Sequence, residues 1–148
     1  MTNTYGPRQH LRGNKQGFAG IFLRMAIDGK VVKIFGDGSQ RRDFNHIDDV
    51  VDAFLLATFN SNVNGGVYNL GSREVFSLLE FVQVLNRYCD FKYELVSFPK
   101  EHKVIDIGDY YSDFSLFHSK TGWDPKVSLE DGMENTIEYF KRYAKLYW

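Results

Sequence analysis

The stretch Gly36-Asp37-Gly38-Ser39-Gln40-Arg41-Arg42-Asp43-Phe44-Asn45-His46-Ile47-Asp48-Asp49 constrains this chain more than any other. It follows the apolar run Val31 to Phe35, which reads as a strand, and it leads into an apolar run from about Val50, which reads as a helix. Gly-Asp-Gly is turn chemistry, because glycine reaches backbone angles that a side chain forbids. Beyond the turn the chain becomes extended again, so Arg41 and Arg42 point to opposite faces and only one of them meets a given ligand. Asp48 or Asp49 is placed to cap the following helix. Strand, tight turn, arginine pair and capped helix together describe a site for an anion such as a diphosphate. A guanidinium offers phosphate oxygens a planar fork and keeps its charge.

The same stretch resembles the signature G-D-G-x-Q-x-R-D-F-x-h-x-x-D of the extended short-chain dehydrogenase/reductases, the NAD-dependent nucleotide-sugar epimerases and dehydratases. Three more pieces follow the order of that family: Asn3-Thr4-Tyr5-Gly6-Pro7-Arg8-Gln9 is similar to its N-x-Y-G-P-R loop, and Val67 to Ser72 and Gly122-Trp123-Asp124-Pro125 resemble later segments. The likeness is greatest to UDP-glucose 4-epimerase-like members and spans nearly the whole chain. It implies an α/β (mixed α+β) fold: the substrate-binding C-terminal lobe of a Rossmann-type enzyme, residues 1–148 forming one domain, without the N-terminal part. Met1 directly precedes a loop that a strand enters in relatives, so a truncated start is expected. The resemblance further implies NAD in the intact enzyme, with none held by this chain alone. It also implies a nucleotide-sugar substrate, a UDP-sugar first of all, with part of a nucleotide-sugar dehydratase, decarboxylase or reductase, or a stand-alone binding module without catalysis, as the alternatives to an epimerase.

By the same resemblance, Arg42 holds the diphosphate and Asn3 lies beside the phosphates. Lys33 and Phe35, on the strand through Ile34, hold the nucleobase; Phe35 either stacks on a pyrimidine or packs into the core. Phe18 and Ala19 line the same pocket, with core packing as their alternative. Tyr5, Gly6 and Pro7 border the nicotinamide. Gly108-Asp109 is similar to an R-x-G-D segment that closes the pocket. Here the chain departs from the pattern: Asp106 stands where the arginine belongs, and a carboxylate there cannot hold a phosphate. Lys103 or Arg41 is the candidate replacement. No catalytic residue is assigned.

The chain has 148 residues, enough for one substantial core. With 18 basic and 19 acidic residues it carries no bulk attraction to nucleic acid or membrane. The single cysteine, Cys89, excludes an internal disulfide and fits a reducing, cytoplasmic setting. No apolar run reaches membrane-spanning length and no signal-peptide pattern opens the chain. Helices are expected from Phe18 to about Ala26, from about Val50 to Phe59, after a Ser77/Glu80 capping box, from Asp113 to Lys120, and after Ser128 with Asp131 in the reciprocal position. Short strands are expected at Val31–Phe35, at Gly66–Leu70 and at Phe91–Phe98. The helix from Val50 is apolar nearly all round and needs cover on more than one face, so a lone chain is expected to self-associate, form a homo-oligomer, or be loosely folded.

Two motif matches fail on context. Gly13-x-x-x-Gly17-x-x-Gly20 follows a polar loop rather than a strand, so it is no dinucleotide fingerprint. Tyr88 and Lys92 have the Tyr-x-x-x-Lys spacing, but the helix is expected to end between them. The histidines at 10, 46, 102 and 118 lack metal-ligand spacing.

Overall fold

The computed structural model describes residues 1, 3–11, 17–99 and 107–147. Gly13, His102, Lys103 and Asp106, for which the sequence raises expectations, lie outside the described residues. In chain order the elements are β1 (Thr4–Tyr5), α1 (Phe18–Ile27), β2 (Val32–Phe35), β3 (Arg41–Asp43), β4 (Asn45–His46), α2 (Ile47–Phe59), β5 (Val75–Ser77), α3 (Leu78–Tyr88), β6 (Tyr93–Val96), α4 (Ser115–Thr121) and α5 (Leu129–Tyr143). The strands pair in twos: β1 beside β4 and β2 beside β6 in parallel, β3 beside β5 antiparallel with Arg42 opposite Phe76. This is a mixed α/β arrangement.

Local signals set most boundaries. Gly36 and Gly38 both have positive φ (75° and 72°), the left-handed turn conformation that their lack of a side chain permits. The box at α3 forms in both directions. Ser77 Oγ accepts the Glu80 N–H at 3.1 Å, and Glu80 Oε2 accepts the Ser77 N–H at 2.7 Å. At α5, Ser128 Oγ accepts the Asp131 N–H and donates to Asp131 Oδ2, so the reciprocal bond is between side chains. Asp113 Oδ1 accepts the Ser115 N–H at the start of α4, and the left-handed Gly122 ends that helix.

The main core lies where α1, α3 and α5 pack over β2 and the β3–β4 segment. Leu23, Ile34, Phe81, Leu85, Met133 and Ile137 are almost wholly buried in it. Each such side chain contributes roughly 1.5–3 kcal/mol. Phe44 stacks on Phe81 at 4.4 Å between ring centres and ties the central stretch to that core. A smaller core of Ala53, Val63, Leu70, Phe117 and Trp123 sits under α2.

Two expectations need correction. Neither Asp48 nor Asp49 caps α2. His46 does, its Nδ1 accepting the Asp48 N–H at 3.3 Å, while both aspartates lie in the first turn. Asp49 is drawn away because its carboxylate accepts the Lys126 and Val127 N–H groups at 3.0 and 3.1 Å. Val67–Leu70 is not a strand: among the described residues no strand runs beside it, Val67 is 92% exposed and Leu70 is held by side-chain packing. The strand lies later, at Val75–Ser77, where the N-cap signal of Ser77 masks it in the sequence.

The need of α2 for cover is met on one side only. Asp49, Val50 and Ala53 are buried, while Val51, Phe54, Leu55, Leu56 and Phe59 remain exposed, Phe59 at 86%. Among the described residues no helix is long and apolar enough to cross a membrane.

Candidate functional site

The strand β3 carries the arginine pair as alternation requires: Arg41 is exposed and Arg42 is buried, 8% exposed. On one edge β3 pairs with β5; on the other, Arg42 bridges in parallel to Tyr110. The Arg42 guanidinium donates through Nη1 to its neighbour's carbonyl, Arg41 O, at 2.8 Å and to Gly108 O. Among the described residues no carboxylate lies within ion-pair distance of it. Among the described residues, backbone carbonyls orient this cation and no side-chain charge neutralises it.

Gly108-Asp109 lies against the arginine pair, with Gly108 O accepting from Arg42. Asp109 Oδ1 accepts the Arg41 N–H at 2.8 Å, and Tyr110 N–H donates to Arg41 O at 3.0 Å. Arg41 itself reaches the other way, its Nη2 donating to Val75 O at 3.1 Å.

Asn3 stands beside β4, its carbonyl accepting the Asn45 N–H at 3.4 Å with φ at +47°. Its Nδ2 is buried and has no acceptor among the described residues. On β2, Lys33 is exposed and pairs with Glu94 at 3.6 Å, and the half-buried Phe35 ring lies 5.6 Å from Phe98. Phe18 is half-buried among Phe22, Phe44 and Phe81, and Ala19 is inside the core. For these two, the structure shows packing.

The Tyr5–Gly6–Pro7 loop lines a separate cleft of about 310 Å³ with Gln9, Ile47, Asp48 and Val51. Only the backbone of Tyr5 serves it. The phenol is in the core, against Phe44 and His46, with Oη donating to Ser128 O at 3.5 Å. Burial raises the Tyr5 hydroxyl far above the usual phenol range. Gly6 has φ +146°, and a Cβ there would overlap Ile47.

The rejected pair stays apart. Tyr88 ends α3, Lys92 lies beyond it with its carbonyl accepting the Val32 N–H, and burial pushes the Tyr88 hydroxyl up rather than down. Cys89 is buried, with its thiol raised by burial and so inert. Among the described residues no three His, Cys, Asp or Glu side chains form a metal cluster. Sequence reasoning missed the carboxylates of Asp43 and Asp49. Both are buried in sequence positions where an aspartate normally faces water; Asp43 accepts the Ser112 N–H and Asp49 the Lys126 and Val127 N–H groups of distant segments.

The sequence profile of the NAD-dependent epimerase/dehydratase family matches residues 1–71. The chain is 34% identical over 146 residues to UDP-glucose 4-epimerase of Mycolicibacterium smegmatis, covering 97% of this chain and 44% of that protein. It is 31% identical over 140 residues to UDP-glucuronic acid decarboxylase 1 of Danio rerio, covering 95% of this chain and 32% of that protein. Its fold superposes on the crystal structure of UDP-glucose 4-epimerase with UDP-glucose from Thermotoga maritima with a TM-score of 0.83 at 34% identity, covering 96% of this chain and 44% of that one. The chain belongs to the NAD-dependent epimerase/dehydratase family. The family uses NAD. The chain spans about a third to under a half of the length of the family members it matches, and their names include both epimerases and decarboxylases.

Proposed function

We propose that this chain is the C-terminal, nucleotide-sugar-binding part of a UDP-glucose 4-epimerase-like enzyme. The observation that carries the reading is Arg42: a buried guanidinium, oriented by the Arg41 and Gly108 carbonyls and facing no carboxylate among the described residues. Such a group suits the diphosphate of a nucleotide sugar. Asn3, just before the strand pair β1–β4 and with an Nδ2 unpartnered among the described residues, adds a neutral donor for the same phosphates. Lys33 and Phe35 serve the nucleobase, with Phe35 turning from Phe98 to a pyrimidine face. Asp109 shapes the wall beside Arg42, and Phe18 and Ala19 support the pocket from the core side.

The Gly6–Pro7 backbone borders the nicotinamide of NAD, which when bound takes and returns a hydride at the sugar. This chain orients the sugar nucleotide, and the glycine-rich and Tyr-Lys machinery belongs to another part of the enzyme. The exposed face of α2 is where that part packs. A decarboxylase reading is favoured by the Danio rerio relative, and the part that carries the chemistry separates the two reactions.

Calorimetric titration with UDP-glucose tests the reading. Arg42→Ala weakens binding by roughly 1.5–3 kcal/mol, the scale of hydrogen bonds to charged groups, or about 10- to 150-fold. Arg41→Ala costs less than about 3-fold, because Arg41 points away. Equal losses at both positions, or none at Arg42, would refute it.

A further inference from the structure

Gly108–Ser112 runs along β3, bridged where Arg42 meets Tyr110. β3 and this segment are tied by two aspartates, one from each. Asp109 of the outer segment accepts the Arg41 N–H at 2.8 Å, and Asp43 of β3 accepts the Ser112 N–H through Oδ2 at 3.2 Å. On β3, Arg42 lies between these ties, and its guanidinium is held by the Gly108 carbonyl, next to the Asp109 tie. The two ends of the clasp differ. Asp109 is exposed, while Asp43 is fully buried. Gly71 presses on it so closely that a Cβ there would lie 2.5 Å from Ser112 O and 3.1 Å from Asp43 Oδ2. A buried carboxylate is costly to keep, so a fold that keeps one depends on the bonds it makes.

We infer that Asp43 is a positioning residue for the Arg42 anion site: by holding the Ser112 N–H it fixes the segment whose Gly108 carbonyl orients the guanidinium. The inference rests on the reading of Arg42 as the diphosphate ligand. With the tie cut, Arg42 remains but its guanidinium is no longer held, and binding must then immobilise a side chain rich in rotamers.

The full chain and its Asp43→Ala and Asp43→Asn variants are titrated with UDP-glucose, and the Arg42 Nε–H resonance and Ser112 amide exchange are followed by NMR. Asp43→Ala lowers the affinity about 5- to 10-fold, shifts the Nε–H resonance and speeds Ser112 exchange. Asp43→Asn, whose amide oxygen accepts the same N–H, restores all three, with affinity within about 2-fold. A purely structural role would lower the melting temperature and leave the affinity of the folded chain and the Nε–H resonance unchanged; that result overturns the inference. So does an Asp43→Asn variant as impaired as Asp43→Ala. If Asp43→Ala fails to fold, Asp43→Leu, with similar shape and no acceptor, takes its place. Failure of the unaltered chain to bind UDP-glucose would refute the Arg42 reading instead. The Nε–H resonance then decides alone: movement in Asp43→Ala but not in Asp43→Asn supports the positioning role, and no movement overturns it.

Discussion

Gly132→Ala reverses the usual sign of a helical substitution. Within a helix, replacing glycine with alanine gains roughly 1 kcal/mol, because alanine loses less backbone freedom on folding. At Gly132 of α5 that gain meets an obstacle. A Cβ there would overlap Tyr5 Oη and lie 2.9 Å from His46 Cδ2 and 3.0 Å from Tyr5 Cζ, tighter than packed carbon atoms tolerate. Neither ring can yield: Tyr5 and His46 are each 1% exposed, and Phe44 packs edge-on against the Tyr5 ring. Overpacking of this kind costs about 1–3 kcal/mol, and the confinement of both rings places it in the upper half of that range. The net destabilisation is about 1–2 kcal/mol, a fall in Tm of roughly 2–8 °C for a domain of this size. Scanning calorimetry and urea denaturation read it. The double variant Tyr5→Phe with Gly132→Ala removes the overlapping oxygen, so it is more stable than the sum of the single effects by about 1 kcal/mol. A Gly132→Ala chain that is more stable than the original, or strict additivity in the double variant, would show that α5 does not press on the Tyr5–Gly6 loop.

Burial holds the His46 imidazole below its ordinary value, against the pull of Asp48 and Asp49. The unfolded chain therefore takes up a proton near pH 6.5 that the native chain resists. Stability is complete above that pH and falls as acid is added, by at most about 1.4 kcal/mol per pH unit from this group. His46→Asn keeps a cap acceptor without the proton, so its denaturation midpoint changes less between pH 6.5 and 5; parallel profiles would exclude His46 as the source. On the proposed function, titration of the chain with NAD gives no measurable heat of binding, because a glycine-rich turn outside this chain would hold the NAD pyrophosphate; micromolar affinity would contradict this. The exposed α2 face drives self-association that rises with concentration in light scattering and is reduced in Leu55→Glu and Phe59→Glu. A compact monomer at high concentration with slow hydrogen exchange through residues 50–70 would show the face to be harmless.

What the sequence determined by itself is local and periodic. The capping box at Ser77, the left-handed glycines at 36 and 38, the stripe of Met133, Ile137 and Phe140, and the opposed faces of Arg41 and Arg42 follow from bonds or spacings within a few residues. The family was legible for a similar reason, since its signatures are short runs of fixed residues. What tertiary structure decided depends on segments far apart in the chain. Asp49 left its expected cap because the N–H groups of Lys126 and Val127 needed an acceptor, and His46 filled the vacancy. Val67–Leu70 did not become a strand because pairing needs a neighbour, which no local propensity supplies. Asp43 was buried because Gly71 and Ser112 closed over it, a contact that neighbouring residues on β3 cannot announce. A backbone group in a folded chain must find a partner wherever the fold brings one, and only the assembled fold sets which distant carboxylate that is.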